Sequence, residues 1–563
     1  MAASRHAGMG ATPFAGGVAF RVWAPFASAV HVAGSFNKWD TQAFPLQSEG
    51  NGYWSGDRAG AAVNDQYKFI VTNAALPGPL WKNDPYALSM TNSAGNSIVS
   101  STDYDWRTRN YSSPTWSELV IYELHVGSFL FDSGSRNGRG DFNTVIGKLP
   151  YLADLGVNAI QIMPSDEFPG TVSMGYNPAD IFAIEDNYGG PAGFQALVDA
   201  AHAHGIAVIY DVVYNHFGPN DLDLWRFDGW SEAGGGGIYF YNDWRRATPW
   251  SDTRPDYGRG EVRQFLRDNA LFWLEQHRCD GLRFDATNYI RNVWGRNNAS
   301  GSDLSDGWGL LQWINHEIRS RQPWKITIAE DMQDNEWLTR AEGAGGAGFG
   351  AQWGAGFMHT LRNAIVAPHD AGRDMRAVAA TIGQRFNTDA FQRVIYTESH
   401  DEDAASNGKA RVPELIWPGS ADSYFSQKRS TLGAALVFTA PGIPMIFMGQ
   451  EFLEWGAWSD AQALDWSKAD RFAGIRALYR DLIRLRRNWF DTTRGLCGHE
   501  VNVHHVNDTD KVIAYHRWEA GGPGDDVVVV ANFADRSYAD YRIGLPRAGR
   551  WRVRFNSDWA GYS

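Results

Sequence analysis

Between Leu119 and Phe447 the chain keeps switching between two hydrophobic periods, and this limits the folds open to it more than any other feature. Short apolar runs read as buried strands at Leu119 to Val126, Val157 to Met163, Ile206 to Val213, Asp280 to Ala286, Ile326 to Ala329, Val394 to Thr397 and Ile443 to Phe447. Helical patterns lie between them. Pro191 to Gly205 opens on proline, closes on glycine and sets Phe194, Leu197, Val198 and Ala201 on one face. Val262, Phe265, Leu266 and Trp273 mark another helix. Repeated strand and helix units favour parallel strands closed into a (β/α)8 barrel, an α/β fold. The segment from Phe217 to Arg259 has neither period, which predicts an excursion of about 217–259 above the barrel mouth.

Both flanks read as β structure. Val18 to Val22, Ala29 to Ala33, Tyr53-Trp54 and Tyr67 to Val71 are strand-like runs broken by turns, so residues 1–110 are expected to form a β-sandwich. Residues 111–487 then form the barrel. Residues 488–563 are expected to form a second, smaller β-sandwich, with strands at Val512 to Trp518, Val527 to Asn532 and Trp551 to Phe555, its last strands short or missing.

Charge and composition exclude several functions. A formal net charge of -13 argues against nucleic acid as a partner. No apolar run reaches the roughly 18 residues of a membrane span, and the start lacks a signal-peptide pattern, so a cytoplasmic location is expected. Cys279 and Cys497 are the only cysteines and have no ligand spacing. His202 and His204 lack partners at metal spacing. Asn215 and Asp252 could belong to an oxygen-ligand cation site, but scattered residues do not specify one, and neither metal nor cofactor is expected. Gly343 to Gly350 follows no strand and lacks the lysine of a phosphate loop, so it reads as a flexible loop. Trp225, Trp230, Tyr239, Tyr241, Trp244 and Trp250 crowd the excursion, where flat rings suit either packing or the faces of sugars.

Four expected strands end in carboxylates. They are Asp211 with Asn215 and His216, Arg283-Phe-Asp285, Glu330-Asp331, and His400-Asp401-Glu402. In Asp280 to Ala286 a period of two sends Arg283 and Asp285 to the same side, and such a pair keeps the aspartate ionised and aimed. All four ends should meet at the C-terminal mouth of the barrel.

This ordered set resembles the α-amylase family, glycoside hydrolase family 13. The resemblance implies that Asp285 is the nucleophile, Glu330 the general acid/base and Asp401 the carboxylate that stabilises the transition state. It further implies that Arg283, His216, His400 and Tyr176 contact the reacting sugar, with Asp211 a structural partner. Crowding of Glu330 by Asp285 and Asp401 should raise its pKa. Phe20 to Pro25 and Asn37 to Asp40 are similar to the glycogen-type carbohydrate-binding module found before such barrels. Tyr122 to Phe129, Ser399 to Glu402 with Gly408-Lys409, and Met448 to Phe452 lean toward the branching enzymes, which pass the sugar to a 6-hydroxyl. The spacer Asp403 to Asn407 is longer than that pattern, and Tyr188 to Pro191 is shared with trehalohydrolases, so a hydrolase is the alternative. The implied substrate is an α-glucan, acted on by a monomer.

Overall fold

A computed structural model describes residues 2–563. Its centre is a closed barrel of eight parallel strands: β1 (Ile121–Leu124), β2 (Ala159–Ile162), β3 (Ala207–Val212), β4 (Gly281–Phe284), β5 (Ile326–Ala329), β6 (Ala351–Trp353), β7 (Arg393–Ile395) and β8 (Ile443–Phe447), which returns to pair with β1. Every residue of these strands is buried, which explains their continuous apolar reading. Outside lie α1 (Phe142–Leu155), α2 (Gly190–Ala203), α3 (Gly260–Glu275), α4 (Ser305–Arg321), α5 (Ala355–Val366), α6 (Tyr424–Thr439) and α7 (Ala473–Arg486). Between β5 and β6 the helix is replaced by two short 3-10 turns, Glu336–Leu338 and Glu342–Ala344.

The stretch expected as a flexible loop, Gly343 to Gly350, is the lead into β6. Gly350 N–H donates to Thr327 O, and a Cβ there would fall 2.1 Å from the Trp116 ring. The glycine permits close packing instead of mobility.

The N-terminal region is a two-layer β-sandwich. One sheet orders its strands Gly10–Phe14, Gly17–Trp23, Tyr53–Ala59 and Gln47–Gly50; the other joins Ala29–Gly34, Gln66–Thr72, Leu80–Lys82 and Ser97–Ile98. Val18, Phe20, Val22, Val30, Val32, Phe44 and Phe69 fill the space between. The C-terminal all-β region is a three-stranded antiparallel sheet of Glu500–Asn507, Val512–Trp518 and Val527–Asn532. Ile513, Tyr515 and Phe533 press it against Leu436 and Val437 of α6. Trp551 to Phe555 does not pair as a strand. The chain after Asn532 is tied to the sheet by side chains, with Tyr541 held by His505 at 2.7 Å and Arg547 paired to Asp526 at 2.6 Å.

The excursion contains one 3-10 turn, Trp244–Arg246, and packs between the sandwich and the barrel mouth. Most of its aromatic residues serve that packing. Tyr239 and Tyr241 are buried, Trp225 lies against Phe240, and Trp230 stacks on Phe26 with centroids 4.6 Å apart. Trp244 and Trp250 remain about half exposed.

Candidate active site

The site forms where β3, β4 and β5 end. Register sets Asp211 of β3 beside Arg283 of β4. Arg283 Nη1 donates to both oxygens of Asp211, at 2.8 and 2.7 Å, and to Asp285 Oδ1 at 2.8 Å. Its Nη2 stands 3.4 Å from Glu330 Oε2. One fully buried guanidinium thus faces three carboxyl groups, and it lies 4.4 Å above the Trp353 ring of β6.

Past Asp285 the main chain turns sharply. Ala286 has φ +39, a left-handed conformation that costs a residue with a Cβ about 1 kcal/mol. The turn aims its N–H at Glu330 Oε2, 2.6 Å away. Asn215 holds the other side of Asp285, its amide donating to Oδ2 at 2.8 Å and to the main-chain oxygen at 2.9 Å. That amide is therefore committed to the carboxylate. Asp252, the other residue weighed for a cation, pairs with Arg246 at 3.3 Å.

Burial is the largest influence on Glu330 and, with Asp285 and Asp401 reinforcing it against Arg283 and the Ala286 N–H, pushes its carboxyl up to about 8. The direction matches the expectation. The leading cause is desolvation, with like charge second. Burial likewise lifts Asp211 to about 7, against the pull of Arg283. His216 is pushed down to about 4 by burial, and its ring stacks under Trp250 at 4.7 Å.

His400 behaves in the opposite way. Burial disfavours its charge, but Asp401 and Glu123 outweigh burial and raise it to about 9. Glu123 Oε1 lies 2.7 Å from His400 Nδ1, and Glu123 Oε2 accepts the His400 N–H at 3.1 Å. The imidazolium then presents Nε2 to Asp401 Oδ1 at 3.5 Å. Tyr176 stacks on His400 with centroids 4.8 Å apart and donates to Asp211 Oδ2 at 2.7 Å.

All eight residues singled out in the sequence, Asp211, Tyr176, His216, Arg283, Asp285, Glu330, His400 and Asp401, therefore lie in one connected cluster. Sequence reasoning passed over Glu123 and Trp353. A charged residue inside the apolar run Leu119 to Val126 was the available signal for Glu123. Trp353 had none, because its strand is only three residues long. His202 is structural, bonded to Asp280 at 2.7 Å and stacked on Tyr111.

Three family models match in order: Carbohydrate-binding module 48 (Isoamylase N-terminal domain) over residues 8–87, the Alpha amylase catalytic domain over 127–225, and the Alpha amylase C-terminal all-beta domain over 503–563. A 1,4-alpha-glucan branching enzyme GlgB from Pseudoalteromonas atlantica is 31% identical over 96% of this chain and 75% of its own length. The chain belongs to the α-amylase family. Other relatives of similar rank are branching enzymes GlgB from Rhodopseudomonas palustris, 32% identical over 98% of this chain and 78% of its own, and from Nitrobacter winogradskyi, 33% identical with the same coverage. Among solved structures, a putative alpha amylase from Salmonella typhimurium superposes with a TM-score of 0.74 at 22% identity, covering 96% of this chain and 97% of its own. A Bacillus subtilis pullulanase gives 0.73 at 20%, covering 94% and 79%. These two likenesses are of fold. As an α-amylase-family member the chain is an enzyme of α-glucans, built on the barrel, module and C-terminal domain that the family models describe.

Proposed function

We propose that this enzyme is a 1,4-α-glucan branching enzyme, cleaving an α-1,4 bond and moving the released chain to a 6-hydroxyl of a glucan. The observation that carries the branching assignment is the near full-length similarity to GlgB enzymes at 31–33% identity. The chemistry follows from the cluster. Asp285, held and aimed by Arg283, attacks the anomeric carbon while Glu330 delivers its proton to the departing oxygen. Glu330, now a carboxylate, then takes the proton of the incoming 6-hydroxyl as that oxygen displaces Asp285. Two inversions retain the configuration.

Geometry supports retention. One guanidinium touches both carboxyl groups. Such proximity agrees with the roughly 5 Å spacing of a retaining pair. Asp401, presented by His400, lies where it can oppose the positive charge of the oxocarbenium-like transition state. Tyr176, His216, His400 and Arg283 bind the reacting sugar, and Asp211 fixes Arg283. The reading includes a monomeric, cytoplasmic enzyme acting without a metal or cofactor.

Proton NMR of amylose incubated with the enzyme tests the reaction. New α-1,6 anomeric signals with little gain in reducing ends are expected. Reducing ends accumulating without α-1,6 signals would assign water as the acceptor and a hydrolase instead.

A further inference from the structure

Trp244 and Trp294 are large apolar side chains left 53% and 50% exposed, from two separate loops, yet their ring centroids lie 6.3 Å apart with planes tilted by 31°. Exposed tryptophans scattered singly need no explanation, but this pair is built. Arg254, fully buried, donates from Nη1 to Arg245 O at 2.6 Å and from Nη2 to Val293 O at 2.9 Å. It therefore pins the main chain next to both tryptophans. Asn292 Oδ1 accepts the Trp294 N–H at 2.9 Å, and Asp243 Oδ1 caps the turn that carries Trp244. Neighbouring charges satisfy each other, Arg245 with Asp243 and Arg246 with Asp252, so the rings offer a surface for a neutral ligand.

The loop of Trp294 continues from Asp285 and is bonded to the segment that follows Glu330. Arg291 pairs with Asp331 at 2.7 Å, and Asn297 Nδ2 donates to Gln333 O at 3.1 Å. Glu330 gives its proton to the leaving oxygen, so the departing chain lies on that side of the cleavage point, as does the chain that replaces it. We propose that Trp244 and Trp294 form an aromatic subsite for the acceptor glucan, its glucose rings lying against the two indoles and its incoming hydroxyl aimed at Glu330. The inference rests on the transglycosylation reading above and adds to it the residues that select a sugar acceptor over water. The rings touch no reacting atom; they position the acceptor.

The test separates donor chemistry from acceptor binding. α-Maltotriosyl fluoride needs no subsite beyond the cleavage point, because fluoride itself leaves as the carbon–fluorine bond breaks and the Asp285 ester forms. Fluoride release without acceptor, and transfer to added maltoheptaose, are measured for the wild type and for W244A, W294A and the double variant. The expected result is unchanged fluoride release and a maltoheptaose KM raised about tenfold for each ring lost, the loss of one buried apolar contact per variant. W294F should recover part of the loss. Transfer that saturates at the wild-type maltoheptaose concentration in the double variant would overturn the subsite. So would a parallel fall in fluoride release, which would mark the pair as structural. A wild-type enzyme that releases no fluoride and transfers no sugar would overturn the proposed function itself, and the subsite with it.

Discussion

At the scale of single residues, the cluster is organised by two buried charges with opposite tasks. Arg283 aims Asp285 through a 2.8 Å hydrogen bond, while burial keeps Glu330 protonated at neutral pH. The sign of the pH dependence follows. Glu330 carries its proton below about 8 and loses it above, so kcat/KM should fall as pH rises through that value. A rate that stays flat to well above pH 8 would contradict the assignment of Glu330 as the acid. Glu330→Gln keeps the shape and removes the transferable proton, so about a 10²- to 10⁴-fold loss in kcat is expected for glucan, with folding retained. Glu123 acts one step further out. It and Asp401 hold the proton on His400 against burial, while Arg283 is the cationic neighbour, His125 is kept neutral by burial that lowers it to about 4, and Tyr176 is the ring packed against His400. In Glu123→Gln the imidazole loses one stabilising charge. The alkaline limb should move to lower pH and kcat should fall about 10- to 100-fold as Asp401 loses its aim. Pipette-scale pH profiles check both, and a limb that does not move would assign Glu123 a packing role only.

At the scale of elements, what was legible depended on strand length and on how local the signal is. Strands whose runs of apolar residues are long enough to show a period, such as Ile206 to Val213, could be read directly, and with them the carboxylates at their ends. The three residues of β6 fall below any period and sit behind a glycine run that looks like a loop, so the strand and its Trp353 stayed hidden. The excursion aromatics were ambiguous for a related reason. A ring that stacks on sugar and a ring that stacks on Phe26 have the same sequence signature, and only the neighbouring domain distinguishes them. Trp551 to Phe555 alternates like a strand but finds no partner edge. Gly175 shows an element-scale demand that can be tested. Its φ is +94, and a Cβ there would lie 2.1 Å from Pro164 O in main chain that cannot yield cheaply. Gly175→Ala should cost about 2 kcal/mol or more and swing Tyr176 off His400. Urea unfolding and activity on maltoheptaose should therefore fall together, and an unchanged midpoint would show that the β2 loop tolerates a different path.

At the scale of the whole molecule, the sandwich braces the loop that builds one wall of the mouth. The excursion has almost no regular secondary structure, and while turns within it pair many of its main-chain groups, the sandwich supplies donors to others. Lys82 Nζ donates to Asp223 O at 2.8 Å and Trp225 O at 2.9 Å, and Asn73 Nδ2 donates to Asp228 O at 2.9 Å. In return the buried Asp228 carboxylate accepts the Phe26 N–H at 2.8 Å. Lys82 is itself nearly buried, so Lys82→Met would keep most of the packing volume and leave two carbonyls without their donor, a cost of about 2 kcal/mol. The loss falls on the excursion, which also carries Trp244 and Trp250, and not on the barrel strands that hold Asp285 and Glu330. Proteolysis should therefore cut first between Phe217 and Arg259, with long-glucan KM rising while fluoride release from a short activated donor stays near wild type. If instead both activities fell in step, with cleavage outside the excursion, the sandwich would be stabilising the barrel as a whole, and its contact with the excursion would have no separate part in shaping the mouth.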